Sequence, residues 1–94
     1  MADESEFSVG ESYLVRTVTY FVVGRLTKVT ENELVFDDAA WVASTGRFHD
    51  ALRDGTLDAV EPFIDPVIVN RAAVVDATKW RHALPLQQTE RRST

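Results

Sequence analysis

Gly24 is the residue that most constrains what this chain can fold into. It sits inside Val22-Val23-Gly24-Arg25-Leu26-Thr27-Lys28-Val29, in a stretch dominated by β-branched and aromatic residues, the types that suit a pleated, half-buried surface. A glycine within a strand weakens it unless a bulge, a bend or a close backbone approach requires it. Thr30-Glu31-Asn32-Glu33 follows as a polar turn, with Asn32 a residue that tolerates a left-handed backbone. Leu34-Val35-Phe36-Asp37-Asp38 then returns as a strand ending in acids. A bent strand, a tight turn and a returning strand are how a small barrel lets one strand serve both of its sides.

A second piece lies about thirty residues further on, at the spacing of a non-local partner. Val67-Ile68-Val69-Asn70-Arg71-Ala72-Ala73-Val74-Val75-Asp76 reads as a strand over 67–70, a corner too short to be a loop, and a strand over 73–77. Upstream, Tyr13 to Val23 is β-like but too long for one ordinary strand, and no Gly or Pro marks a turn within it. It is either two strands joined by a tight corner near residues 17–20 or one strongly bent strand. Between the two pieces, Phe48, Ala51 and Leu52 share one face of a short helix, with Arg47, Asp50, Arg53 and Asp54 toward water. Ser44 or Thr45 can cap its start, and Gly55 closes its end. Residues 56–66 read as irregular, with a short edge strand near 59–61, and 79–85 as a loosely packed segment.

Ninety-four residues fit one domain with a single core. The expected division is a flexible leader over 1–11, a barrel domain over 12–86 carrying a helical insertion at about 39–65, and a disordered tail over 87–94. The acidic start Met1-Ala2-Asp3-Glu4-Ser5-Glu6 has neither the basic nor the apolar part of a signal peptide, and no apolar run is long enough for a membrane helix. There is no cysteine, which removes disulfides, thiol catalysis and thiolate metal sites and fits a cytoplasmic chain. The net charge of −5 argues against broad nonspecific nucleic-acid binding. The charge is uneven, however. Seven acids face only Arg47 and Arg53 over 37–65, whereas Lys79, Arg81, Arg91 and Arg92 face only Glu90 in the tail.

Catalytic and metal chemistry find little support, and neither an enzyme nor a cofactor is expected. His49 and His82 have no ligand partner at helical spacing and read as surface histidines. Asp37-Asp38 are adjacent in a strand and so point to opposite faces instead of converging on a metal or substrate. Ser44-Thr45-Gly46 is not a nucleophile elbow, and no glycine-rich phosphate loop exists. Trp41 and Trp80 have the surface to stack bases, yet large aromatics more commonly anchor cores and interfaces. Arg16, Arg25, Lys28 and Arg71 are spread over several strands, which is the pattern of a solvated face unless the fold gathers them around a pore.

The two pieces together resemble the Sm/LSm fold, including its Hfq branch. Gly24-Arg25-Leu26 looks like the glycine part of that family's first motif, Thr30-Glu31-Asn32 its turn and Leu34–Asp38 its closing strand. The run Val67–Val75 matches the shape of the second motif, with Asn70-Arg71 where the family has Arg-Gly. The resemblance implies a mainly β fold: a five-stranded, strongly bent antiparallel Sm-like (SH3-like) barrel with one inserted helix. It further implies a homo-oligomeric ring of about five to seven copies in which the fourth strand of one subunit pairs with the fifth of the next. Single-stranded RNA would bind at the pore through Thr30, Glu31, Asn32, Asn70 and Arg71. The family's helix before the first strand has no counterpart here, and the lost glycine would leave Arg71 to adopt a left-handed backbone at a cost. The alternative is a structural or adaptor ring without nucleic acid, whose partner is a phage or host protein. Small cysteine-free chains of this type also resemble Sm-like proteins of phages and prophages, which brings a virion-associated location into view.

Overall fold

The protein is described by a computed structural model covering residues 7–87 and the backbone of Thr89 and Glu90. The long apolar run is two strands, β1 (Ser12–Thr17) and β2 (Phe21–Val29). What turns the chain without Gly or Pro is the Thr17 hydroxyl: Oγ1 accepts from the Tyr20 and Thr19 N–H groups and donates to the Tyr20 carbonyl. β3 (Glu33–Ser44) returns from β2, α1 (Phe48–Asp54) follows, then β4 (Ala59–Pro62), β5 (Val67–Asn70), a 3₁₀ turn (Arg71–Ala73), β6 (Val74–Lys79) and β7 (Thr89–Glu90). All pairings are antiparallel, in the order β6-β1-β2-β3-β4-β7, with β5 also on β3.

The expectation of a mainly β fold with one short helix holds; the count of five strands does not. Among the described residues there are seven strands, and the sheet is not closed. The two additions have one cause. β3 is 12 residues long, so its outer edge has room for two partners end to end: β5 on Glu33–Phe36 and β4 on Ala40–Ser44. β7 then pairs with β4. It lies within the stretch expected to be disordered; the rest of the tail beyond Gln87 lies outside the described residues. At the other end, residues 1–6 of the expected flexible leader lie outside them as well. Phe7–Glu11 is tied to the sheet: Gly10 N–H donates to the Leu26 carbonyl, Leu26 N–H to Glu11, and Phe7 packs edge-on against Tyr13.

Gly24 is explained by close approach. A Cβ there would lie 2.9 Å from the Ala39 Cβ and 3.1 Å from the Phe36 Cβ. Opposite it the ladder shifts, pairing Val23 with Ala40 but Arg25 with Asp37, so Asp38 and Ala39 share the place of one residue. Asp38 takes φ +50 in this bulge. The bulge changes the direction of β3, which is what bends the sheet.

A single core was expected, and two clusters are present, one on each face of the sheet. On one, the inner face, Tyr13, Val15, Val22, Leu26, Leu34, Phe36, Ala39 and Val69 pack together. On the other, Leu14, Val23, Ala40 and Val42 are covered by Ala51, Leu57, Val60 and Trp80. One sheet thus serves as a wall for both, which is how so short a chain accommodates them. Trp80 is 4% exposed and its Nε1 donates to the Ala83 carbonyl, so the segment after β6 is anchored, contrary to the loose packing expected of it.

The helix also departs from expectation at its start. Its N-cap is Arg47, with no side-chain cap; Ser44 and Thr45 instead bond to the backbone of Gly46. Its end is as expected: Gly55 has φ +77 and donates to the Ala51 carbonyl. His82, expected at the surface, is half-buried against this end, with Nε2 2.8 Å from the Leu52 carbonyl and its ring edge-on to Trp80. That ring occupies the space that a Cβ on residue 55 would need.

Candidate functional site

The β2–β3 turn is built by one side chain. Thr30 Oγ1 accepts from the N–H groups of Asn32 and Glu33, and the Thr30 N–H donates to the Glu33 carbonyl. The device is a threonine turn, and Asn32 keeps a negative φ. Across the sheet, register places Glu33 opposite Asn70. Asn70 Oδ1 accepts from the Ala72 N–H and so caps the 3₁₀ turn. Arg71 therefore sits in a right-handed turn and avoids the left-handed backbone expected of a corner that lacks glycine.

Arg71 joins the two motifs. Its N–H donates to the Asn32 carbonyl at 2.9 Å and its Nη1 to the Thr30 carbonyl at 2.7 Å. Its guanidinium also lies over the Phe7 ring, 5.9 Å from the centroid. The fold thus brings four of the five nominated residues, Thr30, Asn32, Asn70 and Arg71, into one hydrogen-bonded corner, with the exposed Glu31 on its turn. The Phe7 contact was not foreseen, because nothing in an acidic leader marks which aromatic will reach a corner 60-odd residues away.

Acidic side chains stand beside the arginine at this corner. Arg71 spends donors on backbone carbonyls, and Glu31 and Glu33 flank it in water. The other arginines once grouped with it are paired elsewhere. Arg16 forms a two-pronged ion pair with Asp76, and Arg25 meets Asp38 at 2.6 Å and Asp37 at 3.7 Å. The bulge explains why both adjacent aspartates reach one cation when strand alternation would part them. No cluster of three or more metal-ligating side chains occurs among the described residues.

The second feature is an edge. Among the described residues β5 pairs only with β3 and β6 only with β1, so each presents one open side. Ile68 on β5 is 63% exposed and Val75 on β6 is 56% exposed. β5 is short, apolar and uncharged, while β6 carries Asp76, Lys79 and a register shift at Val75; an open apolar strand edge is a template for pairing with another chain. Elsewhere, Trp41 is 40% exposed and lines a groove with Tyr20 and Phe21, while Trp80 is enclosed in the outer core. No helix among the described residues is long and apolar enough to cross a membrane.

Comparison with protein-family models, with curated proteins and with solved structures finds no match for this chain.

Proposed function

We propose that the protein is the repeating subunit of a closed homo-oligomeric ring of Sm-like architecture, acting as a structural or adaptor module. The observation that supports this best is the pair of open strand edges on β5 and β6, joined by a 3₁₀ corner and carrying exposed Ile68 and Val75. Each copy offers two different edges, so pairing is head-to-tail, and a head-to-tail contact generates a ring when its rotation closes. A ring pairs the β5 and β6 edges of each copy at once, which an isologous dimer through one of them does not. The strand order β6-β1-β2-β3-β5 within the larger sheet, and the turn between β5 and β6, support the Sm-like reading. The partner of such a ring is a phage or host protein.

A second reading, single-stranded RNA at the pore, is favoured by the convergence of Thr30, Asn32, Asn70 and Arg71. The ion-paired state of Arg16 and Arg25 weighs against it, because phosphate binding draws on basic groups that are free to face the ligand.

Native mass spectrometry of the freshly purified protein tests both. The structural reading expects one closed oligomer without extra mass, which Ile68→Lys converts to monomer. Extra mass removed by ribonuclease, together with salt-sensitive binding of a single-stranded RNA oligonucleotide, would move the assignment to the second reading. A monomeric parent protein at micromolar concentration would remove both.

A further inference from the structure

We propose that the loop Phe63–Pro66 of one copy docks into the groove beside Trp80 of the next copy, and that this contact orients the ring. The inference rests on the ring reading above and names the side-chain contact that accompanies strand pairing.

The loop has the character of an anchor. Ile64 is 99% exposed and Phe63 beside it is also exposed. Pro62 and Pro66 bracket the pair, and their fixed φ lowers the ordering cost of docking. A lone exposed apolar residue is ordinary. This one is followed, three residues on, by the strand that offers an open edge.

The groove has the complementary character. It is about 390 Å³ and is lined mainly by Leu57, Val60, Trp80, Ala83, Leu84 and Pro85. It begins where β6, the other open edge, ends at Lys79.

Strand direction brings loop and groove together. Every pairing in this sheet is antiparallel. If β5 of one copy pairs in the same sense with β6 of the next, Asn70 lies toward Val74 and Val67 toward Lys79. The residues preceding β5 then pass the residues following β6, which sets Phe63–Pro66 against Trp80 and beyond. Parallel pairing would send the loop the other way, to the groove lined by Thr17–Phe21 and Trp41. Charge agrees with the antiparallel case. Asp65 is exposed on the loop, Lys79 and Arg81 are exposed at the groove, and none of the three has an ion pair among the described residues.

The chain has no cysteine, so directed crosslinking is free of background. An Ile64→Cys chain co-expressed with an affinity-tagged Ala83→Cys chain should, on mild oxidation, give a heterodisulfide identified by peptide mass. The Ile64→Cys chain with a tagged Thr19→Cys chain should not. Crosslinking to the Thr19→Cys chain instead would overturn the inference, as would a closed ring that persists in native mass spectrometry with no heterodisulfide. Loss of any oligomer in the unsubstituted protein is a separate outcome; it removes the ring reading and this inference with it. Charge reversal is the second measurement. Asp65→Lys should raise the subunit concentration at half-dissociation roughly threefold, and Lys79→Glu added to it should restore the original value. An unchanged value in the single variant would count against the docking.

Discussion

The two faces of the sheet reach the same degree of burial by different means. On the inner face, seven of the eight core residues come from β1, β2 and β3, three strands joined by tight turns, and Val69 comes from β5 on the same ladder. On the outer face, Leu14, Val23, Ala40 and Val42 are equally buried, but their cover is Ala51, Leu57, Val60 and Trp80. Apart from Val60 on β4 and the backbone of Trp80, whose N–H donates to the Ser12 carbonyl, that cover lies outside the ladder. It is held by individual contacts: Trp80 Nε1 on the Ala83 carbonyl, and His82 Nε2 at the Leu52 carbonyl. A layer closed by a hydrogen-bonded ladder opens with the whole fold, whereas a layer closed by separate contacts can open alone. Equal burial therefore does not mean equal local stability.

The largest expected effect separates the layers directly. Phe36→Ala empties the centre of the inner core and should cost about 3–5 kcal/mol, unfolding both layers together in denaturant melts. Trp80→Ala removes as large a group from the outer core, yet hydrogen exchange should show α1 and β4 losing protection while β1–β3 keep theirs. Equal loss of protection on both faces would mean that the layers are one cooperative unit. Gly24→Ala should have a smaller effect, about 1–3 kcal/mol, because the new methyl meets the Cβ atoms of Ala39 and Phe36. A melt like that of the parent would show that β3 can move off this contact.

The smallest effect is electrostatic and confined to the outer layer. Asp54 is held below the ordinary carboxylate range, first by the hydrogen bond from Arg53, with the charge of Arg53 adding to it against desolvation. A carboxyl lowered in the folded state stabilises above its ordinary value, and that contribution fades as pH falls through the lowered one. Arg53→Ala should return the Asp54 titration, read by carboxyl NMR, toward the ordinary range and flatten this acid dependence. The resonances of inner-face residues should not respond.

The inner layer was the more legible in the sequence, for physical reasons. Gly24, the polar turn at Thr30 and the corner at Asn70 are local devices with local signatures, and each appears where its residues predict. The five nominated site residues share one region because the same hairpin and corner that close the ladder carry them. The outer layer left a subtler mark. Leu14-Val15 and Val22-Val23 are consecutive apolar pairs, and strands covered on both faces lose polar alternation. Read as strong β propensity alone, they do not say that a second layer exists. Trp80 was harder still, because its burial depends on Ala83, His82 and the end of α1. The two aspartates at 37 and 38 were misjudged by ordinary strand geometry, since the bulge that unites them on Arg25 is a tertiary event.

That bulge also bears on how the chain avoids a folding error. Because β3 gives Leu34, Phe36 and Ala39 to one core and Ala40 and Val42 to the other, sliding it by one position along β2 would carry Asp37 inward and Phe36 outward. Asp38 can close on Arg25 only when Ala39 lies over Gly24. The clasp therefore works as a catch that engages in a single alignment.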